Sequence, residues 1–241
     1  MKRQRVIFLL LALTALIWST RLPMTIPADA SEPLEEETKF VALTFDDGPR
    51  SDTTPRLLDG LRERGASATF FLVGQQLAGN EALVQRMKDE GHQVGNHTWS
   101  HVELQGATEA TVRTEVGKTD AALTAILGEG EYWVRPPYGL LDSEQQKLFS
   151  VPLVHWYVDP QDWKLRNTDA DVKAVLSKVQ PGDIILMHDT VPASVDAALR
   201  IVDALEAKGY QFVTVKELLA LYGVTPKAGT MYRSAEVVAE Y

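Results

Sequence analysis

The chain has 241 residues, 45% of them hydrophobic and 24% charged, enough to bury a sizeable core within one α/β domain. Its formal charge of -9 argues against a nucleic-acid partner, because phosphate binding needs a basic field. With no cysteine, disulfides are excluded and the redox compartment is left open.

Taken in chain order, the N-terminus joins a basic "KRQR" to an apolar stretch at residues 6–18, "VIFLLLALTALIW". At about 1.5 Å per residue this falls short of the roughly 30 Å hydrocarbon core, which points to a secretory signal and an exported protein. "ADA" at residues 28–30 has the small-x-small form of a cleavage site. The long stretch from Ser19 to Ala30 keeps an uncleaved membrane anchor as the alternative. Residues 31–38 are acidic and aperiodic and read as a linker. Residues 39–222 then form one domain, and 223–241 a loosely packed tail or added helix.

Within that domain, strand-like runs are "FVALTF", "ATFFLVG", "HQVGN", "YWVRP", "PLVHWYV", "DIILMH" and "YQFVTV". Between them lie helical patterns, among them "TTPRLLDGLRERG", "NEALVQRMKDEG" and "VDAALRIVDALEAKG", each ending in a glycine suited to a left-handed stop: Gly65, Gly91 and Gly209. Nearly continuous apolar strands alternating with helices imply a parallel sheet covered on both faces. Seven runs favour a barrel short of the usual eight strands, with a doubly wound sheet as the alternative. In either case functional groups collect at the C-terminal strand ends.

The reactive side chains fall there. Asp46 and Asp47 follow the first run, His97 and His101 the third, and Arg135 the fourth. Asp159, Asp162 and Trp163 follow the fifth; His188 and Asp189 follow the sixth. Adjacent carboxylates repel unless a proton, a hydrogen bond or a cation relieves them. Histidines four apart would share one face of a helical turn, and two histidines with one carboxylate satisfy a three-ligand metal site with an open position. One aspartate of the pair would then bind the cation and the other be left for chemistry.

In this order, "TFDDGP", "HTWSH", "RPPYG", "DPQDW" and "ILMHD" resemble the five motifs of the NodB-homology polysaccharide deacetylases, carbohydrate esterase family 4. "DWKLRN" and "ATFFLVG" resemble the bacterial peptidoglycan N-acetylglucosamine deacetylases in particular. The resemblance covers roughly residues 39–222 and implies a distorted (β/α)7 barrel. It also implies Asp46 as general base paired with Arg135, and Asp47, His97 and His101 as ligands of one divalent metal. Zinc is the first choice for that metal, with cobalt, manganese or nickel as alternates. His188 would be the general acid, held by Asp162; Trp163 and Leu186 would wall the acetyl pocket, and the backbone N–H of Tyr138 would face the oxyanion. The implied reaction removes N-acetyl groups from a polysaccharide, peptidoglycan first, by a monomer whose one link to a membrane would be an uncleaved anchor.

Other readings stay in view. Chitooligosaccharide, muramic acid residues or acetylated xylan are alternative substrates. Two histidines and a carboxylate also form the facial triad of non-haem iron oxygenases, though the adjacent Asp pair and His188 suit hydrolysis better. A silent carbohydrate-binding relative is disfavoured by the complete acid, base and metal sets. His155 reads as a core histidine and His92 as a strand-start residue; Trp99 and Trp156 read as packing, and Thr98 as a turn residue. Asp159 reads as a loop cap, and Asp189 as solvated or supporting.

Overall fold

The computed structural model describes residues 38–236; the expected signal or anchor segment, the expected linker through residue 37 and the last five residues lie outside the described residues. In chain order the elements are β1 (Lys39–Asp46), α1 (Thr54–Arg64), β2 (Thr69–Leu72), α2 (Glu81–Asp89), β3 (Gln93–Asn96), α3 (Glu109–Leu127), α4 (Ser143–Gln146), β4 (Leu153–Val154), α5 (Asp162–Leu165), α6 (Thr168–Leu176), β5 (Ile184–His188), α7 (Pro192–Glu206), β6 (Tyr210–Phe212), α8 (Val215–Leu221) and β7 (Met231–Tyr232).

Strand β1 is central because residues 41–46 are buried on both faces. Its alternate side chains divide between two cores, as the strand period of two requires. Val41, Leu43 and Phe45 pack with Leu57, Leu58 and Leu61 of α1, Val84 and Met87 of α2, and Val195, Ile201 and Val202 of α7. Ala42 turns the other way, onto Phe71, Trp133 and Ile184, with Val215, Leu218 and Leu219 of α8 in the same cluster. Thr44 and Asp46 continue that inward row. An apolar interior thus gives way to polar groups at the C-terminal strand end.

Among the described residues the named strands pair in parallel, and one isolated bridge, Asp183 to Ser234, is antiparallel. β1 lies between β5 on one edge and β2 on the other, with β6 against its first residues, and β3 extends the sheet beyond β2. Single bridges carry the sheet onward from Asn96 to Val134, from Val134 to Leu153 and from Val158 to Ile185 of β5. The result is a parallel α/β ring with short, irregular strands on its far side, in agreement with the distorted barrel.

Two sequence expectations change. The "YWVRP" run narrows to the bridge at Val134, because Pro136 and Pro137 have no N–H to donate to a ladder. The segment after Gly223 is neither loose nor helical where described: Met231 and Tyr232 pair in parallel with Leu153 and Val154, and Ala235 joins the inner core. Gly65 is the expected left-handed helix stop, with φ of 64°. No described helix is long and apolar enough to cross a membrane.

Candidate active site

The parallel register places the two acid–base candidates beside each other. Asp46, the last residue of β1, is paired with His188, the last residue of β5. Both residues are buried, at 3% and 9% exposure. Thr44 sits two residues earlier on the same face; its hydroxyl donates to Ile185 O at 2.6 Å and accepts from Arg135 Nη1 at 2.8 Å.

Arg135 is fully buried, and its guanidinium is shared among three acceptors. Nη1 also reaches Asp46 Oδ1 at 2.7 Å, Nη2 reaches His155 O at 2.8 Å, and the plane lies 4.2 Å from the Phe71 ring centroid. Burial works against its charge and the Asp46 carboxylate works for it. The pairing fixes one oxygen of Asp46 and leaves the other toward the cavity side, 3.6 Å from His97 Nε2.

Asp47 leaves the strand with φ of 72°, a left-handed turn that sends the second carboxylate away from the first. Its Oδ1 is buried, 3.1 Å from His101 Nε2 and 3.5 Å from His97 Nε2, and lacks a regular hydrogen-bond donor. Burial opposes the charge of Asp47, but the His101 and His97 imidazoles, when protonated, outweigh it and hold the carboxyl far below the ordinary range.

These contacts test the proposed ligand set. His97 Nδ1 lies 2.7 Å from Arg135 O, and a carbonyl can only accept, so Nδ1 carries a proton. In the neutral ring, Nε2 then presents a lone pair to the Asp47 carboxylate. Two acceptors in that arrangement need a cation between them, a proton or a metal ion. Among the described residues, Asp47, His97 and His101 are the one group of three with ligand atoms within 4.8 Å of one another, and their donor set fits zinc or a similar divalent ion. The helical turn expected for His97 to His101 is absent. Thr98 and His101 instead have positive φ, and the two rings meet edge to face at 4.9 Å.

Opposite the histidines, Asp162 is fully buried at the start of α5. It accepts from His188 Nδ1 and from the His188 backbone N–H, both at 2.8 Å. Burial alone would lower the imidazole pKa. The hydrogen bond and charge of Asp162, followed by the charges of Asp46 and Asp47, overcome it and push the value up to about 9. With Nδ1 committed to Asp162, Nε2 is the free end, 4.0 Å from Asp47 Oδ2.

A cavity of about 360 Å³ opens over these groups, lined by Asp46, Asp47, His97, His101 and His188 together with Tyr138, Trp156, Asp159, Trp163 and Leu186. Leu186 is a buried wall, whereas Trp163 and Tyr138 stand at the rim, 54% and 58% exposed. Tyr138 has φ of 60° and packs its ring against His101 at 5.0 Å. Every site residue singled out in the sequence therefore lies at this cavity or directly behind it. Elsewhere, a hollow of about 400 Å³ mixes His92, Val94, Leu127 and Tyr132 with surface charges, and one of about 580 Å³ is lined mostly by charged residues; among the described residues neither gathers a metal-ligand set.

The remaining polar residues take supporting positions. Asp159 caps its loop through Gln161 N at 2.7 Å and also lines the cavity, and Trp156 reaches the cavity as well. His155 supplies a carbonyl to Arg135, and His92 Nδ1 accepts from Ala68 N at 3.1 Å, so neither joins the ligand set. Asp189 is not solvated: it is fully buried, accepts the Thr54 hydroxyl, and burial pushes its carboxyl up to about 7. Gly48 packs so tightly against it that a Cβ there would lie 2.7 Å from Asp189 Oδ1. Sequence reasoning missed Thr44, Asn96 and Glu115. Thr44 had a signal, the inward alternation with Asp46. Glu115, on a helix that follows the histidine turn, had none.

Comparison with known proteins agrees with this geometry. The family model for polysaccharide deacetylase matches residues 34–150. The peptidoglycan-N-acetylglucosamine deacetylase PgdA of Listeria monocytogenes is 39% identical over 203 residues, covering 83% of this chain. The chain spans 42% of that relative's length. Among solved structures, a T48 deacetylase with substrate is 42% identical with a TM-score of 0.77, covering 81% of this chain and 96% of the other. A family 4 acetyl xylan esterase from Clostridium thermocellum in complex with a cobalt ion is 32% identical with a TM-score of 0.79, covering 83% of this chain and all of the other.

Proposed function

Since the chain belongs to the polysaccharide deacetylase family, we propose that it hydrolyses N-acetyl groups from an N-acetylglucosamine-containing polysaccharide, with peptidoglycan as the first candidate. The observation that carries this reading is the register pair Asp46 and His188, with the Asp47, His97 and His101 cluster beside it on one cavity floor. A divalent metal at that cluster, zinc in our reading, supplies a Lewis acid for the acetamide carbonyl and lowers the pKa of water.

The chain's own groups do the rest. Asp46, held by Arg135 with one oxygen left over, takes the proton of the attacking water. The buried guanidinium fixes the direction of that carboxylate. As the C–N bond breaks, protonated His188 gives its Nε2 proton to the departing amine, so that acetate and a glucosamine unit with a free amine result. Asp162 keeps the imidazole charged and its Nε2 end turned to the cavity. Leu186 and Trp163 border the space for the acetyl methyl, and the left-handed Tyr138 turn offers its N–H to the developing oxyanion.

The N-terminal apolar segment and the peptidoglycan substrate in the Listeria relative's name support export and action on the envelope. The test is mass spectrometry of defined peptidoglycan, chitooligosaccharide and acetylated xylan fragments after incubation with zinc-loaded protein. Loss of acetyl from glucosamine residues of peptidoglycan is the expected result. Turnover of xylan alone would overturn the substrate assignment, and no turnover of any of them would overturn the enzymatic one.

A further inference from the structure

The ligand histidines are not preorganised by a helix, so something else must hold them. Thr98 and His101 have φ of 66° and 58°, a backbone region that side-chain-bearing residues rarely adopt unaided. Three successive N–H groups in this turn, those of Thr98, Trp99 and Ser100, have side-chain acceptors. Thr98 N donates to Asn96 Oδ1 at 2.8 Å. Trp99 N and Ser100 N both donate to Glu115 Oε2, at 3.1 and 2.8 Å, and the Ser100 hydroxyl lies 3.1 Å from each Glu115 oxygen.

Both acceptors are anchored on α3. Glu115 belongs to that helix, and Asn96 Nδ2 donates to Val116 O at 3.0 Å and to Asp120 Oδ1 at 2.7 Å. On its other side the turn is braced by the Thr98 and Trp99 carbonyls, which accept from Gly74 N and Gln75 N at 2.9 Å. Trp99 lies against Gly74 with no room for a Cβ there. Asn96 and the carbonyl contacts secure the His97 end. The His101 end hangs on Glu115.

We infer that Glu115 is a positioning residue for the metal-ligand pair, its carboxylate clamping the Trp99 and Ser100 amides so that His101 faces Asp47. This rests on the metal-site reading above. It also explains why a carboxylate is not needed for its charge: Oε2 alone takes both amides, and a glutamine oxygen can do the same.

The test uses metal-stripped protein titrated with Zn2+ by calorimetry and with Co2+ by visible absorption, comparing wild type, Glu115→Ala, Glu115→Gln and His101→Ala. Glu115→Ala should lose about 10- to 100-fold in Zn2+ affinity and alter the Co2+ spectrum, at an unchanged metal-free melting temperature. Glu115→Gln should restore both. Wild-type affinity in Glu115→Ala overturns the inference while leaving the metal site standing. So does a Glu115→Gln variant as weak as alanine, or a metal-free melting temperature that falls in step with affinity. If wild type and His101→Ala bind Zn2+ equally, the metal-site reading fails and this inference with it.

Discussion

Replacing Asp162 by asparagine tests the acid role of His188 most directly. The imidazole's ordinary pKa of 6.5 is pushed up to about 9 although burial opposes its charge, and Asp162 supplies the first two favourable contributions. That preference for the protonated ring corresponds to about 3 kcal/mol. Asparagine can still accept from Nδ1 but brings no charge, and its amide nitrogen would then face the His188 backbone N–H, two donors together. The imidazole pKa should therefore return to about 6.5 or below, leaving roughly 3% of the acid form near pH 8 where the wild type keeps about 90%. Acetate release from a chitooligosaccharide, measured as kcat/KM against pH, should show the alkaline limb moving from near pH 9 to the neutral range. The deficit should be about 30-fold near pH 8 and shrink towards pH 6. Of the three carboxylates that raise it, Asp47 contributes least. An alkaline limb that stays near 9 in the variant, or a deficit equal at all pH values, would refute the acid assignment.

Chelation should abolish acetate release, and Zn2+ or Co2+ should restore it; Asp47→Asn should bind Zn2+ more weakly than any variant of a supporting residue, as read by calorimetry. Arg135→Met should lower the unfolding free energy by about 3–5 kcal/mol in urea titrations, because it leaves the buried Asp46 carboxylate without its partner, and activity should fall with it. Asp171 is fully buried on α6 with neither carboxyl oxygen hydrogen-bonded, and burial, reinforced by the charge of Asp162, pushes its pKa up to about 6. Because the folded state holds that proton more tightly than the unfolded chain, the group's unfavourable effect on stability appears as pH rises through the interval from 3.8 to about 6. Asp171→Asn should therefore gain melting temperature relative to wild type near pH 8 and lose that advantage near pH 4.

The contrast between what the sequence disclosed and what it hid follows from how each residue is held. Strand β1 was legible because six consecutive buried positions require sheet on both edges and cover on both faces, which a short apolar run announces. Asp46, His97, Arg135 and His188 were legible because reactive side chains at successive strand ends converge on one rim of any parallel α/β fold. The histidine turn misled because a spacing of four says only that two residues are close in sequence. A helix and a left-handed turn both bring such a pair together, and the choice is made by Asn96 and Glu115, whose acceptors stand in for helical hydrogen bonds. The long α3 was obscured for a related reason: its buried positions, Val112, Thr119, Leu123 and Leu127, leave Gly117 and several threonines between them and give a weak apolar stripe.

Support residues are hard to read by type, even where, as at Thr44, strand alternation places them. Thr44 meets Arg135 across 91 positions and Thr54 meets Asp189 across 135, and neither threonine differs by type from those that merely face solvent. A catalytic group is recognised by its chemistry, which the sequence states outright; a supporting group is recognised only by its partner, which folding supplies. Pairing Asp46 with His188 is the link between the two. The β1–β5 register that buries Leu43 and Ile185 also fixes where the proposed base and acid stand, so a one-residue slip that exposed the core would separate Asp46 from His188 as well.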